Sequence, residues 1–197
     1  MQTISKILVV IDPTATVHPA LNRATLLAAS TGAELALLTC YYNEYLSGEH
    51  FFDTKILAKA RKEAVENELK QLEKLAEPLR ETGITVSTTA IWDHPLHECI
   101  VRQALESEAD VVIKDTHHHS AISRALFSNT DWNILRPCPG PLWLVNPRQF
   151  ADIPTILAAL DPMNQHDKPA ALDNDILGLC KVLGQRLDAT LHAFHSY

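Results

Sequence analysis

Five consecutive aliphatic residues, Ile7-Leu8-Val9-Val10-Ile11, stop at Asp12-Pro13. A strand with one wet face alternates apolar and polar residues. A run with no polar side needs cover on both faces, which is the habit of strands inside parallel sheets. The remainder of the chain agrees. Further segments at 35–38, 84–91, 111–113 and 142–145 read as strands two to five, the second extending to about Tyr41.

Between them lie helical patterns. Pro19 suits a first helical turn and Gly32 the position after the last, with Leu21, Ala24, Leu27 and Ala28 at helical spacing. The longest helix is expected from about Thr54 to Thr82. Val65, Leu69, Leu72, Ala76 and Leu79 form its apolar stripe, and its Lys/Glu-rich face from Lys55 to Lys74 is expected to be solvated. Pro78 should kink the last turn and Gly83 cap it. A short helix should start at Pro95, and two more should span 120–127 and 130–136, with Ser120 and Thr130 as N-caps. Strict alternation of strand and helix predicts an α/β doubly wound, five-stranded parallel sheet with right-handed crossovers. In such sheets ligands sit beyond the carboxyl ends of the strands, where the strand order reverses.

The chain then begins again. Ile156-Leu157-Ala158-Ala159-Leu160-Asp161-Pro162 repeats the first strand and its Asp-Pro ending; a helical stretch at 172–186 and a strand-like segment at 189–197 follow. A period this long marks a duplicated domain. The expected division is a first domain at 1–146, a linker at 147–154, and a βαβ fragment of a second domain at 155–197. So short a βαβ piece cannot bury an adequate core alone. The expectation is a truncated second copy, or one that docks elsewhere.

Composition narrows the function. A net charge of −7 argues against nucleic acid or an anionic membrane as a partner. The N-terminus enters a strand directly, and no apolar run reaches ~18 residues, so a cytoplasmic location is expected. Cys40, Cys99, Cys138 and Cys180 show no metal-like or disulfide-framework spacing, and reduced thiols are the simplest expectation. None of the six glycines follows the first or fourth strand, so there is no dinucleotide fingerprint and no P-loop. No G-x-S-x-G elbow or H-E-x-x-H helix is present either. The chain is therefore not expected to be an enzyme.

The Val-Val-Ile-Asp-Pro strand end, the phrase Phe127-Ser128-Asn129-Thr130-Asp131-Trp132, and the ending Leu-Arg-Pro-Cys-Pro-Gly-Pro-Leu-Trp-Leu-Val together resemble the universal stress protein family. The tandem arrangement resembles its E type. The resemblance implies a Rossmann-like sheet of order 3-2-1-4-5, akin to adenine nucleotide alpha hydrolases. It also implies a nucleotide site, whose positions here include Asp12 and Cys40. Members that bind ATP carry G-x2-G-x9-G-[ST] after strand four. The corresponding residues are Asp115, His118, Ser128 and Asn129, none of which fits the pattern. Glycines there let backbone amides approach phosphates; Asp115 adds a negative charge instead. ATP is therefore not expected in the first domain, and a competent nucleotide site in the second domain is an alternative. Asp93 likewise stands where the family has the glycine of a G-x-P turn ending at Pro95.

Three readings of Asp115-Thr116-His117-His118-His119 stay open: a solvated loop, a zinc site using His117 and His119 near Asp12 and His18, and an anion site with Arg124. His94 and His97 are expected at the surface, away from this loop. Trp92, Trp132 and Trp143 are expected in core or interface packing. The resemblance further implies that Leu142–Val145 is an edge strand that pairs with a second such domain, within the chain or in a homodimer. The function this supports is stress resistance through ligand or partner binding.

Overall fold

The computed structural model describes residues 3–47, 54–116, 129–148, 153–163, 169 and 171–195. Two compact units emerge, Ser5–Pro147 and one built around Arg148–Tyr197. The first contains β1 (Lys6–Val10), α1 (Pro19–Thr31), β2 (Glu34–Tyr41), α2 (Thr54–Glu81), β3 (Val86–Trp92), α3 (Leu96–Glu106), β4 (Val111–Asp115), α4 (Asn129–Leu135) and β5 (Leu142–Val145). The five strands form one sheet of order β3-β2-β1-β4-β5, with every neighbouring pair parallel. This is the doubly wound, Rossmann-like sheet anticipated above.

Local chemistry explains the elements. Pro19 opens α1, and Gly32 closes it at φ 77°, its N–H donating to Ala28 O. Gly83 follows α2 at φ 89°, again the left-handed region that favours glycine. Asp110 fastens the start of β1, its Oδ2 accepting from Ser5 N at 2.7 Å and Lys6 N at 2.9 Å.

Side chains alternate across the sheet. On one face Leu8, Val10, Leu38, Cys40 and Val112 pack against Cys99, Ile100 and Ala104 of α3 and Ile134 of α4. On the other, α1 packs over β1 and β4 while α2 packs over β2 and β3. Ile7, Val9, Leu35 and Ile113 are at most 1% exposed, so β1 is covered on both sides, as its unbroken aliphatic run required. Full burial of each such side chain stabilises the fold by about 1.5–3 kcal/mol.

Several expectations are corrected. Cys40 and Cys99 are not separate thiols. They form a disulfide between the end of β2 and the first turn of α3, with Cα atoms 6.5 Å apart. Their separation of 59 residues hides the pair from any spacing rule. Cys138 and Cys180 are free. The stripe on α2 holds at four of its five positions, Leu72 and Ala76 being buried and Val65 and Leu79 half-buried, but Leu69 is 36% exposed and Glu68 is half-buried beside it. Trp132 is 57% exposed and is not a core residue. Trp92 does pack, with Tyr41 and Tyr42 at 5.5 and 5.7 Å and the Arg61 guanidinium 5.2 Å from its ring centre. Thr130 is helical, within α4, and therefore does not cap it. The helix expected at 120–127 lies outside the described residues.

The second unit contains β6 (Thr155–Ala159), α5 (Leu172–Arg186) and β7 (Thr190–Phe194), with β6 and β7 parallel. It repeats the β1-α1-β2 order. Its core is thin: α5 has no fully buried residue and every residue of β7 is exposed.

Candidate functional site

Where β1 and β4 end side by side, the chain turns away into different helices and leaves a cavity of about 280 Å³. Val10, Leu96 and Ile100 give it an apolar wall, and Asp12, Lys114 and Asp115 supply its charged groups. Cys40 and Thr130 also line it.

Each charged group is held by the fold. Asp12 lies two residues past the end of β1, and its Oδ1 accepts from Thr14 N and Thr14 Oγ1, both at 2.7 Å. This Asx-type turn redirects the chain out of β1. Asp115, the last residue of β4, is 7% exposed. Its Oδ1 accepts from Ala20 N at 2.7 Å, satisfying an N–H in the first turn of α1. Opposite-sign attraction between a carboxylate and a helix N-terminus adds to that bond. The residue at the family's glycine position therefore ties β4 to α1.

Lys114 points to the α3/α4 face. Its Nζ lies 2.9 Å from Asp131 Oδ1 and donates to Asp115 O at 2.8 Å. Lys114 is 7% exposed and Asp131 fully buried. The pair brings α4 onto β4 and explains why the Thr130-Asp131-Trp132 phrase matters: its middle residue is the counter-ion of a buried lysine. Sequence reasoning passed over Lys114. The only signal was a lysine inside an otherwise aliphatic strand.

Of the anticipated site residues, Asp12, Cys40 and Asp115 converge on this cavity. Asn129 lies in α4 next to the lining residue Thr130. His117, His118, His119, Ser128 and Arg124 lie outside the described residues. His18 turns elsewhere, lining a separate cavity on the α2 side of the sheet. His94 is exposed and stacks on Tyr42 at 4.3 Å, while Asp93 accepts from Arg102 and from His94 N. That cluster sits beside edge strand β3, away from the cavity. Among the described residues, no group of three or more His, Cys, Asp or Glu side chains could hold a metal ion. None of the described helices is long and apolar enough to cross a membrane.

Comparison with known proteins agrees with this architecture. Residues 3–146 match the model of the universal stress protein family. Universal stress protein E of Escherichia coli K12 is 23% identical over the whole chain, which covers 63% of that relative. A protein of Pseudomonas aeruginosa PAO1, described as functionally unknown, superposes with a TM-score of 0.78 at 28% identity, over 100% of this chain and 62% of its own. A universal stress protein solved in complex with cAMP superposes with a TM-score of 0.51 at 17% identity, over 73% of this chain and 98% of its own, which shows the shared fold. The chain spans from about half to just under two thirds of the length of the curated relatives it matches. The family model covers most of the chain and coincides with the whole β1–β5 sheet: the chain belongs to the universal stress protein family.

Proposed function

We propose that this chain is a cytoplasmic stress-resistance protein that works by binding a small molecule or a partner, and that its first domain does not seat a nucleoside triphosphate. The Lys114–Asp131 pair carries the reading. Among the described residues lining the cavity Lys114 is the only cation, and its ammonium is already matched by Asp131 and by a backbone carbonyl. Asp12 and Asp115 leave the wall acidic. A triphosphate carries about four negative charges, and meeting these carboxylates without an unmatched cation or a glycine loop is unfavourable. A neutral ligand with hydroxyl donors for Asp12 and an apolar body against Leu96 and Ile100 suits the wall better. Binding without turnover is consistent with the missing nucleophile and base motifs.

The test is a thermal-shift and calorimetric comparison of adenosine, cAMP, ATP with Mg²⁺, and Zn²⁺ on the full chain, because a ligand that binds only the folded state raises its apparent stability. Adenosine is expected to bind at least about tenfold more tightly than ATP. ATP binding tighter than adenosine, or ATP turnover, overturns the reading. A Zn²⁺ shift lost when His117, His118 and His119 are changed to alanine assigns the site to metal instead.

A further inference from the structure

The disulfide and the candidate ligand cavity share their residues. Cys40, near the end of β2, lines the cavity of about 280 Å³, and so do Leu96 and Ile100 of α3. Cys99 stands between those two wall residues in sequence and is bonded to Cys40, with Cα atoms 6.5 Å apart. Much of the remaining wall comes from the ends of β1 and β4, which have a neighbouring strand on each side. The α3 wall is a single helix laid on the sheet. Its first turn carries no side-chain cap at Pro95, and the ion pair of Arg102 with Asp93 is partly exposed, where such pairs contribute little. Beyond packing, the disulfide is the covalent tie that fixes Leu96 and Ile100 against β2.

The two halves of the bond meet solvent unequally. Cys99 is 0% exposed, whereas Cys40 is 7% exposed and borders the cavity. A small thiol approaching the bond from solvent therefore comes through the cavity, and a ligand seated there stands in its way. In the cytoplasm, the compartment proposed above, disulfides are usually transient and redox-sensing rather than structural.

We propose that the Cys40–Cys99 bond sets the ligand affinity of this cavity: the oxidised chain holds α3 as a ready-made wall and binds, and a small thiol that reduces the bond frees the wall and releases the ligand. The chemistry is two exchanges. A thiolate attacks the Cys40 sulfur, the Cys40–Cys99 bond breaks, and Cys99 leaves as a thiolate that takes up a proton. A second thiolate attacks the sulfur now attached to Cys40, so that Cys40 leaves in turn and the two small thiols depart as their own disulfide. The two electrons gained by the protein come from those thiols, and a small-molecule disulfide runs the steps in reverse. Preorganisation gives the sign, since a wall fixed before binding need not be ordered by the ligand. The proposal rests on the ligand reading of the same cavity given above and adds its regulation.

The experiment poises the full chain with mixtures of reduced and oxidised glutathione. Thiol titration of the oxidised chain, denatured without reductant, should detect Cys138 and Cys180 alone; detection of all four cysteines overturns the proposal. On reduction, hydrogen exchange should quicken in α3 and methyl NMR should show shifted Leu96 and Ile100 resonances, with α1 unchanged; an α3 blind to redox state overturns it. Adenosine should bind the oxidised chain at least about fivefold more tightly than the reduced one, and saturating adenosine should by linkage raise the glutathione ratio at half reduction (reduced squared over oxidised) by the same factor. Adenosine bound equally in both states overturns the proposal. Cys40→Ala with Cys99→Ala should bind as the reduced chain does at every poise, and Cys138→Ser should keep the redox response. A response that survives in the double variant, or is lost in Cys138→Ser, overturns it. Should the double variant fail to fold, the unmodified chain at the two extremes of poise decides. Adenosine bound in neither state defeats the adenosine reading of the cavity, and the α3 readout then decides the redox proposal alone.

Discussion

Lys114 and Asp131 show how one residue pair sets the character of a wall. Removing either partner strands the other as a buried charge, which costs about 3–5 kcal/mol. Lys114→Met should lower stability by that amount in urea unfolding, whereas Lys114→Met with Asp131→Leu should recover most of the loss. Equal destabilisation of single and double variants would show that the ion pair is not what Lys114 contributes. Glu73 gives a pH signature. Its carboxylate lies 2.6 Å from Arg80 Nη1 and accepts from Thr88 Oγ1, and these bonds hold its pKa below the ordinary carboxylate value. A depressed pKa means stability present above the unfolded value and lost as pH falls through the folded one. Acid titration should therefore weaken the α2–β3 contact below about pH 4, and Glu73→Gln should flatten that part of the stability curve. Asp12 was readable before any coordinates, because its place after an aliphatic run announces a strand end. The partner of Lys114 was not, because a register between β4 and α4 decides it.

At the level of elements, the disulfide joins β2 to α3 and closes a loop with a sequence separation of 59. Cross-links of this kind contribute about 2–4 kcal/mol. Thermal unfolding with and without reductant should differ by several degrees, and Cys99→Ser should abolish the difference; identical transitions would exclude the bond in solution. Most of the strands were legible because buried parallel strands leave aliphatic runs, though β3, Val-Ser-Thr-Thr-Ala-Ile-Trp, is half polar, and their order was legible only through the family resemblance. The disulfide was not, since the proximity of Cys40 to Cys99 arises only when α3 folds back over β2. Helix α2 was legible in length and, but for Leu69, in phase. Only packing against β2 and β3 turns Leu69 outward and leaves Glu68 half-buried.

The whole molecule combines a well-buried sheet with a sparse second unit. Within residues 148–197, Pro154 and Ala158 are the only buried positions among the described residues. Hydrogen exchange should report this: amides of β1, β2 and β4 protected to near the global unfolding energy, those of β6 and β7 exchanging orders of magnitude faster. Equal protection in both would contradict the sparse packing. Strand β5 is the outer strand of the sheet, with Leu142, Trp143 and Leu144 half-buried. An uncovered apolar edge favours strand pairing, so light scattering should show concentration-dependent dimers that Leu144→Lys suppresses. The repeat of β1-α1-β2 by β6-α5-β7 was legible from the second Asp-Pro ending, whereas the thinness of its core follows from packing that no pattern encodes.

Closing a ring between Cys40 and Cys99 also changes the chain as a polymer. Pulled by its ends, the oxidised polypeptide hides the segment between those residues from tension, shortening its full extension by about 200 Å. A pore or unfolding motor that admits a single thread must swallow two strands abreast at this point, until a reductant opens the ring.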